Sequence, residues 1–107
     1  MLYQIVAEKV ANEWNTAGNC CLVVGATYPE ELKEVRDIVG EVTLLVPGIG
    51  KQGGDVAKTV KAGLNSKNAG LIINSSRSII FASSGDDFAD KARAATETLK
   101  NQINEYR

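Results

Sequence analysis

The chain has 107 residues, which is enough for one small domain and no more. With 44% hydrophobic and 23% charged residues, its composition is that of a globular protein and not of a disordered, collagen-like or disulfide-rich chain. The formal net charge is -1 and the acids and bases are interspersed, so no basic face for nucleic acid is indicated. No apolar run reaches the ~18 residues that a membrane span needs.

Several kinds of site are excluded by residue type. The sequence has no histidine, which rules out Ser-His-Asp and Cys-His mechanisms and histidine-ligated metals within this chain. Cys20 and Cys21 are adjacent, so on a strand they point to opposite faces and cannot hold a metal together. We expect two reduced cysteines in or near a core, which fits a cytoplasmic protein. A signal peptide is not expected, because Glu8 and Lys9 interrupt any apolar stretch after Met1.

Helical and strand-like segments alternate through the first part of the chain. Apolar residues at helical spacing predict a helix over residues 2–14. The apolar run at residues 20–24 predicts a strand buried on both faces. Thr27 and Glu30 have the spacing of a capping box, and Pro29 suits the first turn of the helix that follows. The expected buried stripe of that helix comprises Leu32, Val35, Ile38 and Val39, and Gly40 ends it.

The second part of the chain continues the alternation. A strand is predicted at residues 42–46, and a glycine-rich loop follows at residues 47–54. Asp55 is a good N-cap for a third helix, and residues 69–73 form the third strand. Residues 78–82 suit either a short helix or a strand. The final helix is the longest, and its apolar face comprises Phe88, Ala92, Ala95, Leu99, Ile103 and Tyr106.

The order of these elements predicts the topology. Strands separated by helices imply parallel pairing with right-handed crossovers. No linker or composition shift divides the chain, so residues 1–107 form one unit. Two architectures fit this pattern: a small open α/β sheet, or a piece of a (β/α)8 barrel.

The glycine-rich loop has two interpretations. Residues 48–53 match the dinucleotide pattern G-x-G-x-x-G, after a strand and before a helix. That pattern also needs an acidic residue about 20 positions further on, yet no Asp or Glu lies between Asp55 and Asp86. The dinucleotide interpretation is therefore disfavoured. Glycine backbone N–H groups can still approach a phosphate closely, but if Asp55 caps the helix the phosphate must sit on the loop.

A second candidate for phosphate binding is the polar turn at residues 74–78. Arg77 offers a planar, bidentate grip on a phosphate, and neighbouring N–H groups add donors. In (β/α)8 barrels the phosphate site is often built from the loops after strands seven and eight and a short extra helix. The residues themselves therefore predict the phosphate-binding end of an α/β fold, with the substrate open.

The three polar segments together resemble one enzyme family. Residues 47–55 resemble the loop after the seventh strand of orotidine 5'-monophosphate decarboxylases, and residues 74–80 resemble the turn after their eighth strand. Residues 23–27, followed by Pro29, are similar to the sixth strand and next helix of one bacterial branch. The resemblance implies the C-terminal part of a (β/α)8 TIM barrel with three parallel strands. It implies an enzyme of pyrimidine biosynthesis that converts orotidine monophosphate to uridine monophosphate and carbon dioxide, without metal or organic cofactor.

The resemblance also implies roles for individual residues. Gln52 matches a loop glutamine that bridges the phosphate and the pyrimidine. Arg77 matches the arginine that holds the phosphate, and the backbone N–H of Ser76 would face the same group. Pro47 and Ile49 would lie near the pyrimidine.

The departure from the family is the missing chemistry. Its catalytic Asp-x-Lys-x-x-Asp segment, whose lysine protonates the carbanion at pyrimidine C6, is absent: Asp55 with Lys58, and Asp90 with Lys91, do not fit the spacing. Only three strands are predicted, whereas a barrel has eight in about 250 residues. We therefore expect no catalytic residue in this chain, weak nucleotide binding and no activity on its own.

Three functions are open for this chain. The chain is a decarboxylase part that binds orotidine or uridine monophosphate, a stand-alone phosphate- or nucleotide-binding module, or a purely structural piece. Hexulose-phosphate synthesis, a sister activity, is disfavoured by the Pro-Gly-x-Gly-x-Gln-Gly-Gly loop. Neither nucleic acid nor membrane is an expected partner, and family dimers imply a homo-oligomer. Open strand edges predict self-association or poor folding of the chain alone.

Overall fold

A computed structural model describes residues 1–49 and 55–107 of the chain. The elements are α1 (Leu2–Lys9), a π-helical turn (Val10–Trp14), β1 (Leu22–Val23), α2 (Pro29–Val39), β2 (Leu44–Pro47), α3 (Val56–Gly63), β3 (Leu71–Asn74), α4 (Arg77–Ile80) and α5 (Phe88–Asn104). The three strands pair in the order β1-β2-β3, and both pairings are parallel. The predicted parallel sheet with flanking helices is confirmed. No helix of the described ranges is long and apolar enough to cross a membrane.

The strands begin later than predicted because turns take up the backbone groups that precede them. The backbone N–H of Cys20 donates to Asn15 Oδ1 at 2.8 Å, and β1 begins only at Leu22. Before β3, the carbonyl of Ala69 accepts from the Asn65 N–H at 2.9 Å, which closes a turn. Both cysteines are free, but Cys21 is exposed, so the expectation of a core position is wrong for that residue.

One face of the sheet is covered by helices and the other is open. The register places Leu44 opposite both Leu22 and Leu71 on the covered face, and Leu44 is fully buried. On the open face Val23 is 66% exposed and Ile72 is 51% exposed. The prediction of a strand buried on both faces at residues 20–24 is therefore wrong for this chain. Its apolar run instead provides one covered and one open apolar surface.

The helices follow the predicted apolar stripes more closely than the predicted caps. In α2 the residues Leu32, Val35 and Val39 are buried, while Ile38 is half-buried. The proposed capping box is wrong, because Tyr28 is the N-cap of α2 and Thr27 lies outside the helix. Gly40 ends the helix as predicted, with a positive φ of 59° that favours glycine.

The first and last helices form where their apolar spacing predicted helices, but much of the apolar surface of the first helix is exposed, with Leu2 at 77%, Ile5 at 53% and Trp14 at 57%. The helix predicted over residues 2–14 forms, but it finishes in a π-helical turn in which the Asn15 N–H donates to the Val10 carbonyl at 3.1 Å. The long final helix is confirmed as α5. Its first apolar residue, Phe88, is nevertheless 61% exposed.

A buried arginine joins the ends of the helices to the starts of the strands. Arg36 is 6% exposed, and its Nε donates to the Gly63 carbonyl at 2.8 Å. Its Nη1 donates to the carbonyls of Gly40 and Val42 at 2.5 and 2.6 Å. Its Nη2 donates to the Gly70 carbonyl at 2.9 Å. Burial lowers the pKa of Arg36, and the negative charge of Glu41 opposes this shift.

The contact between α1 and α2 carries a second polar link. The phenol of Tyr3 donates to Glu34 Oε2 at 2.6 Å, and Gln4 Nε2 donates to the same oxygen at 2.9 Å. The hydrogen bond to Glu34 raises the pKa of Tyr3 to about 12, with smaller contributions from burial and from the charges of Glu34 and Glu31. The protonated phenol is therefore the form that holds the two helices together.

We predict that Arg36→Met lowers the free energy of unfolding by about 3 kcal/mol or more, because it removes four charged hydrogen bonds to buried and part-buried carbonyls. The matched control is Arg93→Met, since Arg93 is 78% exposed in its pair with Glu97. The control should change stability by less than about 0.5 kcal/mol. Urea unfolding of both variants measures the difference. Equal effects of the two substitutions would show that the guanidinium contributes no more than a surface ion pair.

The Tyr3–Glu34 bond predicts a loss of stability at high pH. A folded pKa raised to about 12 means that the contribution is complete below the usual tyrosine pKa and disappears as the pH rises towards 12. An absorbance titration should show one of the three tyrosines ionising late. Tyr3→Phe should remove that late step, whereas Tyr28→Phe should retain it. A late step that survives Tyr3→Phe would contradict the assignment.

The open face of the sheet predicts self-association of the isolated chain. Sedimentation velocity should show species larger than a monomer that increase with concentration. Replacing Val23 and Ile72 by lysine should shift the distribution towards monomer, because charges on that face oppose its burial. Lysine at Ala94, which is exposed on α5, is the charge-matched control and should leave the distribution unchanged. A monodisperse, cooperatively melting monomer of the unmodified chain would contradict this prediction.

Candidate phosphate site

The candidate site lies where two neighbouring strands end. Pro47, the last residue of β2, is in register with Asn74, the last residue of β3. Because the strands are parallel, the loop after β2 and the turn after β3 leave the sheet at the same edge. The structure thus brings together the two segments that the sequence had singled out separately.

A cavity of about 610 Å³ opens between these two segments. It is lined by residues 47–49 from the loop, residues 74–78 from the turn and α4, and Phe81 and Ala82 beyond α4. Arg77 is the one charged side chain among these lining residues, and they include no carboxylate. The electrostatics of the described lining therefore favour an anion.

The turn after β3 carries the polar groups of the cavity. Ser76 is the N-cap of α4, and Arg77 is its first residue. Both are exposed, and both line the cavity. The sequence left helix and strand open at residues 78–82, and the structure resolves this as the short helix α4 followed by a turn.

Residues 47–49, the described start of the segment after β2, contribute their backbone and one apolar anchor. Pro47 is half-buried, and Gly48 has a φ of 88°, a left-handed conformation that glycine adopts without strain. Ile49 is 3% exposed and belongs to the hydrophobic core. Its buried side chain fixes the start of the loop against the sheet. Its predicted position near a pyrimidine stays a prediction, as does that of Pro47.

Asp55 occupies the start of α3, as its position in the sequence suggested. Its Oδ1 accepts from the Lys58 N–H at 3.0 Å and caps the helix. A carboxylate at this position repels a phosphate, so the N-terminus of α3 is disfavoured as a phosphate-binding group. Gln52 and the other residues of the range 50–54 lie outside the described residues. The predicted role of Gln52 therefore stays a prediction.

One contact in the site involves a residue that the sequence did not single out. Ser75 Oγ lies 3.3 Å from the Ile49 carbonyl oxygen and 2.5 Å from Ser78 Oγ. It joins the turn after β3 to the loop after β2. The signal for this contact in the sequence is a serine directly after the third strand. Which groups its hydroxyl contacts depends on the register between β2 and β3.

The described part of the chain brings no set of metal-ligating side chains together. No three cysteine, aspartate or glutamate side chains of residues 1–49 and 55–107 come together as a metal-binding group. The described lining of the cavity offers an arginine, an asparagine amide, serine hydroxyls and backbone N–H groups. These groups bind phosphate or carboxylate, and they provide no nucleophile with a partner base.

Sequence comparison finds similar proteins named orotidine 5'-phosphate decarboxylase. The chain is 54% identical over 106 residues to the orotidine 5'-phosphate decarboxylase of Ralstonia nicotianae, covering 99% of this chain and 39% of the relative. It is 57% identical over 106 residues to the enzyme of the same name from Azoarcus sp., with the same coverage. The chain therefore spans about two fifths of the length of the curated relatives it matches. No protein-family model matches it.

Solved structures agree with the sequence comparison. The Leishmania donovani UMP synthase superposes with a TM-score of 0.79 at 38% identity, covering 95% of this chain and 22% of that chain. The Leishmania donovani OMP decarboxylase superposes with a TM-score of 0.77 at 35% identity, covering 96% of this chain and 39% of that chain. These similarities confirm the predicted fold class, three parallel strands with flanking helices as a C-terminal part of a TIM barrel.

Proposed function

We propose that this chain forms the phosphate-binding end of the active site of an orotidine 5'-phosphate decarboxylase. The chain belongs to that family and spans a C-terminal portion of its members. The whole enzyme would convert orotidine monophosphate to uridine monophosphate and carbon dioxide in pyrimidine biosynthesis. The observation that carries the proposal is the cavity between Pro47–Ile49 and the turn after β3, with Arg77 on its wall.

Within this proposal each segment of the cavity has a distinct task. Arg77 provides a charged, bidentate grip on the phosphate, and the Ser76 N–H donates to a second oxygen. Pro47 and Ile49 form the wall on the pyrimidine side. Gln52 bridges the two ends of the nucleotide from the loop. The helix cap formed by Asp55 supports this division of labour, since it leaves the loop and turn as the anion-binding groups.

The chain would bind the remote part of the substrate without performing the chemistry. Phosphate binding contributes to catalysis only when the reacting pyrimidine is held in the same site, because remote binding energy is used to stabilise the transition state. The lysine and carboxylates of the Asp-x-Lys-x-x-Asp segment do not occur in this sequence. We infer that the chain alone is inactive and that the other strands of the barrel supply the catalytic groups.

Cellular location, cofactors and assembly are also part of the proposed function. We propose a cytoplasmic enzyme without metal or organic cofactor, assembled as a homodimer. Free cysteines at Cys20 and Cys21 support a reducing compartment. The alternative, a stand-alone nucleotide-binding module, is favoured by one observation, the G-x-G-x-x-G spacing at residues 48–53.

Titration of the chain with UMP, followed by phosphorus NMR, tests the proposal. We expect weak, saturable binding that Arg77→Ala weakens at least tenfold, because a charged hydrogen bond to phosphate contributes about 1.5 kcal/mol or more. Arg93→Ala removes the same charge from an exposed helix position and should leave UMP affinity unchanged.

The outcomes of this titration separate the hypotheses. Equal UMP affinity in the unmodified chain and in Arg77→Ala would contradict the phosphate-binding role of Arg77. Tighter binding of NAD than of UMP would favour the stand-alone module. No binding of either nucleotide at millimolar concentration, together with stable oligomers, would favour a structural piece.

A further inference from the structure

Two serine hydroxyls form a chain that crosses the phosphate site. Ser75 Oγ lies 3.3 Å from the Ile49 carbonyl oxygen, and a carbonyl can only accept. The single hydroxyl proton of Ser75 is therefore donated to Ile49. In the 2.5 Å contact between Ser75 and Ser78, Ser78 must then be the donor. The hydrogen bonds run in one direction, from α4 through the turn after β3 to the loop after β2.

The two hydroxyls lie just beyond the point where the pairing between β2 and β3 ends. The register between β2 and β3 ends with the pair Pro47 and Asn74. Ser75 is the next residue after that pair, and its bond to Ile49 continues the contact between the two segments beyond the strands. Both serines are half-buried, so solvent competes less for their hydroxyls than at the surface.

We propose that Ser75 is a positioning residue that fixes the spacing between the phosphate-gripping turn and the loop on the pyrimidine side. Ser78, the residue after Arg77, orients the Ser75 hydroxyl by donating to it. The inference rests on the proposed function and deepens it. It places a mechanical link between the part of the site that would hold the phosphate and the part that would hold the base.

The link predicts a difference between ligands of different reach. Inorganic phosphate needs only the turn that carries Arg77, whereas UMP also extends towards Ile49. Loss of the Ser75 hydroxyl removes the hydrogen bond that sets the distance between the turn and Ile49, so it should weaken UMP binding more than phosphate binding. A residue that merely stabilised the fold would alter both affinities together.

The experiment compares Ser75→Ala, Ser78→Ala and the unmodified chain for UMP and for inorganic phosphate, with thermal melting of each variant. We expect Ser75→Ala to weaken UMP binding about three- to tenfold, the contribution of an ordinary neutral hydrogen bond, and phosphate binding by less. Ser78→Ala should have a smaller effect, since Ser75 keeps its bond to Ile49. Ser66→Ala, an exposed serine outside the cavity lining, should have none.

A conservative replacement guards against loss of folding. Ser75→Thr retains the hydroxyl and should bind UMP within about twofold of the unmodified chain. Unchanged UMP affinity in Ser75→Ala, or an equal loss for UMP and phosphate, overturns this inference and leaves the proposed function standing. If Ser75→Ala does not fold, weak UMP binding by a folded Ser75→Thr overturns it. Failure of the unmodified chain to bind either ligand overturns the proposed function, and the inference with it.

Discussion

The guanidinium of Arg36 is the interaction on which the arrangement of this chain depends. Its donors reach the carbonyls of Gly40, Val42, Gly63 and Gly70, which lie at the ends of two helices and just before two strands. A planar fork of five N–H groups suits such a set, and a lysine could not reach it. Because these contacts fix the starts of β2 and β3, they also fix their register. That register sets Pro47 beside Asn74 at the far end, where the proposed phosphate site lies.

The described chain carries a cavity at one end of the sheet and an uncovered apolar face on one side of it. Its loop, turn and short helix form the cavity with Arg77, while the apolar face that carries Val23 and Ile72 is uncovered. In a closed barrel such inward-facing residues are packed by the other strands. In the proposed function the same division applies to energy, because binding energy from the phosphate would raise the rate only when the pyrimidine is held in the same site. The other strands of the barrel would thus both cover the apolar face and supply the catalytic groups.

Sequence reasoning succeeded where the signal is local. Apolar periodicity located α2 and α5, Gly40 and Asp55 marked helix ends, and alternation predicted parallel strands. It failed where a tertiary or competing hydrogen bond decides. Asn15 takes the N–H of Cys20 and delays β1. The N-cap of α2 is Tyr28 and not Thr27, and Tyr28 makes no side-chain cap hydrogen bond. The contact of Ser75 with the Ile49 carbonyl follows from register, which a single sequence does not specify.

The most direct measurement is the activity of a hybrid enzyme. In it, this chain replaces the matching portion of the orotidine 5'-phosphate decarboxylase of Ralstonia nicotianae, to which it is 54% identical. If the chain is the phosphate-binding end of such an enzyme, the hybrid folds, decarboxylates orotidine monophosphate and loses most of that activity with Arg77→Ala. A folded hybrid that lacks activity, or one that is indifferent to Arg77→Ala, would contradict the assignment of this chain to the phosphate end of the active site.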